Sequence, residues 1–94
     1  MKIEFDAGKN DRNIAERGLS FERVAEFDFA AAIFREDRRR DYGEKRMQVT
    51  GFLSERLHML VFVETATGIR VISFRKANKR EVKRYEKEAR PRNG

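Results

Sequence analysis

A guanidinium group is well matched to a phosphodiester, because its planar fork can donate to two phosphate oxygens at once. This chain gathers guanidinium and ammonium groups near its C-terminal end, where Arg70, Arg75, Lys76, Lys79, Arg80 and Arg84 lie close together in sequence. From Thr65 to Gly94, ten basic side chains stand against three acidic ones, a local charge of +7. The 94-residue chain carries +6 overall, so residues 1–64 contribute −1 and the positive charge resides in the last third. A field that concentrated attracts polyanions, and a nucleic-acid backbone is the first to consider. The competing reading is a helix whose lysines and arginines only keep it solvated.

The elements that must position these cations are a strand and a helix. Ile69, Val71 and Ser73 alternate with Arg70, Ile72 and Phe74, the period-2 pattern of a strand with both faces used. That alternation sets Arg75 and Lys76 on opposite faces. Asn78 can cap a following helix, with Glu81 three residues on as the partner of a capping box. Val82, Tyr85 and Ala89 form one narrow apolar stripe, and Pro91 ends the helix.

Upstream, Lys2–Phe5 is short and extended in character. Asp6 suits the N-cap of a helix from about Ala7 to Arg17, thinly apolar at Ile14 and Ala15, with Gly18 at its left-handed end. Ser20 caps a second helix from Phe21 to about Phe27, whose buried side is Phe21, Val24 and Ala25. Ala30–Phe34 reads as a strand. The polar run Arg35–Arg46 reads as a solvated loop in which Gly43 makes the hairpin turn. Met47–Leu53 and Leu57–Glu64 are strands around a turn at residues 54–56, and the second is apolar on both faces, hence central. The expected class is α+β in the order β-α-α-β-β-β-β-α. It comprises an antiparallel sheet of about four strands, two N-terminal helices and one C-terminal helix.

Ninety-four residues make one domain, 1–94, and eight phenylalanines supply its large apolar surfaces. With no cysteine and a single histidine, His58, there is no disulfide framework and little to hold zinc. No apolar run approaches the roughly 20 residues of a membrane span, and MKIEFDAGK lacks a signal-peptide core, so the expected compartment is the cytoplasm and no membrane partner is expected.

The order of elements and several strings together resemble the BrnT family, the toxins of type II toxin–antitoxin pairs. The strings are IEFD with Lys9 and Asn13, ERGLSFERVAEFD, RDYGEKRMQVTGF and RVISFRKANKREVKRYE, and they span nearly the whole chain. The resemblance implies a RelE-like fold and a ribonuclease that needs no metal or cofactor and arrests translation. It also implies neutralisation by a BrnA-type antitoxin, which contacts operator DNA itself, with two copies of each protein as a reasonable complex. Two positions depart from the family's pattern. Arg17 stands where members usually have histidine, and Phe5 where they tend to have tryptophan.

RNA cleaves itself when its 2′-OH is deprotonated and attacks the adjacent phosphorus, provided the departing 5′-oxygen is protonated. A protein assists by placing a base, an acid and cations around that phosphorus. Within the resemblance, the candidates for catalysis are Arg75, Arg80, Lys76, Tyr85 and Glu44, with Arg46, Arg70, Lys79 and Arg84 holding RNA phosphates. Each has a plainer alternative. The arginines and lysines can be surface charges, Tyr85 a core residue on its stripe, and Glu44 a local ion-pair partner. His58, at the start of a central strand, reads as a satisfied imidazole and is not among the catalytic candidates. A basic module that binds nucleic acid or antitoxin without cutting is the alternative for the whole chain.

Overall fold

The computed structural model of the chain describes residues 1–89; Arg90, Arg92 and the helix-ending Pro91 lie outside them. Its elements are β1 (Lys2–Phe5), α1 (Ala7–Arg17), a 3-10 helix (Phe21–Glu26), β2 (Ile33–Asp37), β3 (Arg46–Leu53), β4 (Arg56–Glu64), β5 (Gly68–Lys76) and α2 (Lys79–Glu88). The α+β class and the order of elements agree with the sequence reading. The sheet itself has five strands rather than four and is mixed, in the order β1-β5-β4-β3-β2. β1 runs parallel to β5, and every other pair is antiparallel.

The fifth strand joins because Ile3 and Phe5 have apolar surface to pack against the core, and the two helices with β2, β3 and β4 make up the long connection that a parallel pair requires. Gly68 makes the pairing possible. It lies opposite Lys2, and a Cβ there would run into the Lys2 backbone. Gly68→Ala is therefore expected to loosen β1 from the sheet and cost about 1–3 kcal/mol. Chemical denaturation together with hydrogen exchange at residues 2–5 checks this.

Packing decides the form of the second helix. Phe21, Val24 and Phe27 are buried while Ala25 is exposed, a spacing of three that fits the three residues per turn of a 3-10 helix better than an α-helix. Ser20 accepts from Glu22 N–H at its start. β2 begins three residues later than the alanines suggested. Asp28 Oδ1 accepts from Ala31 N–H and turns the chain there, and the β-branched Ile33 opens the strand instead.

The helix α1 and the 3-10 helix cover one face of the sheet, where Val24, Val49, Leu60, Val71 and Phe74 are fully buried. α1 docks through amides rather than apolar side chains. Asn10 and Asn13 are its buried residues, while Ile14 is 44% exposed. The opposite face is covered by α2 only at one end, where Tyr85 and Val82 pack against Leu57, Phe52, Ile33 and Ala77. The remainder of that second face is open. Among the described residues no helix is long and apolar enough to cross a membrane.

Candidate functional site

A regular β5 would put Arg70 and Arg75 on opposite faces, because they are an odd number of residues apart. They share a face. Val61 of β4 pairs with Ser73, but its neighbour Phe62 pairs with Val71, so Ile72 is an extra residue, a β-bulge. Beyond it the alternation inverts. Phe74, not Ser73, joins Ile69 and Val71 in the core, and Ser73 and Arg75 turn to the open face with Arg70. The strict alternation read from the sequence is corrected at this point. Cross-strand neighbours carry Gln48 and Arg46 of β3 and Met59 and Val61 of β4 to the same face.

There they line a groove of about 290 Å³ with Asp37, Arg39, Ser73, Arg75 and Glu81. Each guanidinium is held by a carboxylate. Arg75 donates to both oxygens of Glu81 at 2.8 and 2.9 Å. Glu81 is fixed in turn, because it closes the predicted capping box by accepting from Asn78 N–H at 2.9 Å. Arg70 donates to both oxygens of Glu44 at 2.8 and 2.9 Å, and Arg46 Nε to the same carboxylate at 3.4 Å. The Arg46 guanidinium also lies over the Tyr42 ring, 4.1 Å from its centroid. Tyr42 donates its hydroxyl to Asp37, which accepts from Arg39 Nε and Nη2 at 2.9 and 2.8 Å. The donated bonds hold these carboxylates ionised. Those from Arg39 bring Asp37 down to about 2, and those from Arg70 and Arg75 lower Glu44 and Glu81.

Three arginines against two carboxylates, with the Arg70–Glu44 pair beside them, leave the groove only mildly cationic. Its chemical asset is instead orientation, since a paired guanidinium keeps N–H groups to spare. Arg75 uses both terminal nitrogens on Glu81 and the Lys76 carbonyl, and Arg70 uses Nη2. Such an array can receive a phosphodiester without rearranging.

The family model described as "Ribonuclease toxin, BrnT, of type II toxin-antitoxin system" matches residues 5–81. The chain belongs to this family of ribonuclease toxins. No curated protein and no solved structure matches it. The matched span takes in β5, its bulge and the first turn of α2, and so includes every arginine of the groove. Membership of a type II family implies an antitoxin as partner.

Of the residues singled out in sequence, Arg46 and Arg75 line the groove, and Arg70 and Glu44 adjoin it through the Glu44–Arg46 hydrogen bond. Arg84 borders a neighbouring recess beside Glu81 and Gln48. Lys79 and Arg80 are exposed on the first turn of α2 and line neither. Tyr85 is buried, with its ring edge-on to Phe52 and its hydroxyl donating to the Ala31 carbonyl at 2.8 Å, so its packing alternative describes its place. Lys76 projects to the other face, opposite His58.

That other face holds a second cavity of about 550 Å³ at the β3–β4 turn, lined by Arg17, Gly18, Leu19, Arg23, Leu53, Ser54, Arg56, His58, Arg75 and Lys76. Arg17, which replaces the histidine expected from the resemblance, and His58 therefore open on the same space. Sequence reading missed Asp37 and Arg39 in the groove and Tyr42 beside them. The only signal was their placement in the charged run Arg35–Arg46, where solvation is the default reading.

The Asp37 pairing makes a pH prediction. A carboxyl lowered from 3.8 to about 2 on folding adds stability that is fully present above the unfolded value. That stability is lost as pH falls from about 4 to about 2. Asp37→Asn should lower the melting temperature at pH 7 and flatten its decline over that acid interval, as thermal unfolding followed by circular dichroism would show.

Proposed function

We propose that this toxin is a metal-independent endoribonuclease that acts in the cytoplasm, arrests translation and is neutralised by a BrnA-type antitoxin. One observation carries the reading. The bulge at Ile72 brings Arg75 to the face that holds Arg46 and Arg70, and carboxylates hold all three guanidiniums in fixed orientation.

The chemistry that follows is cleavage by the RNA's own 2′-OH. As that oxygen attacks, the phosphorus becomes pentacoordinate and negative charge grows on its equatorial oxygens. Preorganised guanidinium donors stabilise that charge more than the ground state, which is how they lower the barrier. Side-chain cations supply the positive charge that a metal provides in other nucleases. Glu44 is a weak base here, because Arg70 and then Arg46 hold its carboxyl below the usual range. The groove's part is thus to bind, align and stabilise charge. Lys79, Arg80 and Arg84 add cations along the exposed side of α2 that can track the strand's other phosphates.

Antitoxin binding would cover this face, with two copies of each protein as the proposed assembly and operator DNA reached through the antitoxin. Purified protein incubated with total RNA and EDTA tests the reading. Fragments that persist in chelator and vanish with Arg46→Ala plus Arg75→Ala support it, and addition of the antitoxin should suppress them. Intact RNA retained in a salt-sensitive manner would leave a binding module that does not cut.

A further inference from the structure

The larger cavity, on the helical face, differs from the groove in charge. Five cations line it and no carboxylate does. Arg23 is held by Glu26 and Arg75 by Glu81, while Arg17 donates to Asn13 Oδ1 at 3.0 Å. Arg56 and Lys76 have no ion-pair partner among the described residues, and both are exposed. Leu19 and Leu53 add apolar wall. A volume of about 550 Å³ exceeds what a bare phosphate fills and lies within the roughly 300–1,000 Å³ of small-molecule sites. The lining thus suits an anion joined to a larger, partly apolar group.

His58 completes it. The residue is 4% exposed, and its ring lies 5.4 Å from that of Phe74. Nδ1–H donates to the Arg56 carbonyl at 2.8 Å, which leaves Nε2 as the acceptor in the neutral ring. Burial first, and the cations Arg56, Lys76 and Arg23 after it, hold the imidazole below its ordinary pKa. Arg17 and Arg75 line the same space, Arg75 with its charge paired to Glu81 outside the lining. Finally, Arg75 borders both the cavity and the groove, so a strand gripped at one can continue to the other.

We propose that this cavity binds one nucleotide of an RNA strand, with its phosphate on Arg17, Arg56 and Lys76 and a ribose or base oxygen, able to accept from the protonated ring, beside His58 Nε2. The inference rests on the ribonuclease reading and adds to it a subsite beside the groove. A bound phosphate offsets the surrounding cations, so occupancy raises the imidazole pKa and binding tightens as pH falls.

The chain's single histidine makes the test direct, because one imidazole resonance reports the site. The probe is a 2′-O-methyl tetranucleotide, which cannot cleave itself, followed by proton NMR of His58 and by fluorescence anisotropy. At saturation the tetranucleotide should shift the resonance and move its titration midpoint up by about one pH unit. Arg56→Ala with Lys76→Ala should weaken binding about tenfold or more and remove the shift. Both side chains are exposed, so the variant should keep its fold, which circular dichroism checks. Failure to bind, an unmoved resonance at saturation, or an equal response to polyglutamate overturns the proposal. RNA cleavage is measured in the same preparations. Cleavage with a silent His58 overturns the subsite and spares the nuclease, whereas a responsive His58 with intact RNA supports the subsite and removes the nuclease.

Discussion

Arg75→Ala should lower RNA cleavage by about 100-fold or more, the loss typical when one preorganised donor is taken from a charge-stabilising array. Arg75 is the cation shared by the groove and the larger cavity. Its terminal nitrogens are aligned by Glu81, whose own position is set by the capping box of α2. Removing the guanidinium leaves Glu81 bonded to Asn78. The side chain is also about one-third exposed, so the fold should change by no more than about 1 kcal/mol. Activity and stability are therefore expected to separate. Arg75→Lys keeps the charge but loses the two-pronged contact, and should recover only a small part of the rate. Single-turnover cleavage of a labelled RNA, alongside a melting curve, checks both variants. Wild-type rates in a folded Arg75→Ala protein would remove the groove as the active site.

How far the sequence reached can be judged at β5. The local chemistry of the strand-to-helix junction was legible: Asn78 and Glu81 form the capping box that their spacing predicts. The left-handed Gly18 and the Gly43 turn were legible too, because each rests on one residue's conformational preference, and so was the central position of β4, because that strand is apolar on both faces. The bulge was not. Reading Ile69–Phe74 as a regular alternation put Ser73 where Phe74 belongs, and only the register against β4 reveals that Ile72 is supernumerary. A period-2 pattern interrupted by one apolar residue looks the same in sequence whether or not the strand is bulged. The consequence reached the site, since the face that holds Arg75 depends on that one residue.

Long-range pairings were hidden for the same reason. β1 joins β5 across more than sixty residues of chain, and no local signal specifies a parallel edge. In the charged run Arg35–Arg46, the ends of β2 and β3 pair Asp37 with Arg46, turning what reads as solvated loop into one wall of the groove. The arginines expected to converge did so in part. Arg46, Arg70 and Arg75 meet on a face set by strand register, while Arg80 follows the exposed side of its helix.

The largest effect on folding is expected at Asn13. Substituting alanine should destabilise the protein by about 2–4 kcal/mol, on the basis of about 1–3 kcal/mol for each buried polar group left unpaired. Its Nδ2 group donates to two carbonyls at 2.9 Å, those of Leu19 and of Phe74. One amide thus ties α1 both to the segment that follows it and to β5 just before Arg75. Its Oδ1 accepts from Arg17, so the same side chain also steadies one wall of the larger cavity. α1 has no apolar residue to replace this link, since its other buried side chain, Asn10, is committed to Phe21 N–H at 2.7 Å. Asn13→Asp should be worse than alanine, because it would set a carboxylate against two carbonyl oxygens in a buried site. For a chain of this size, several kcal/mol corresponds to a fall in melting temperature of roughly 10 °C or more. Denaturant titration of the two variants decides the matter. If Asn13→Asp proved as stable as the wild type, α1 would have to be held by something other than these hydrogen bonds.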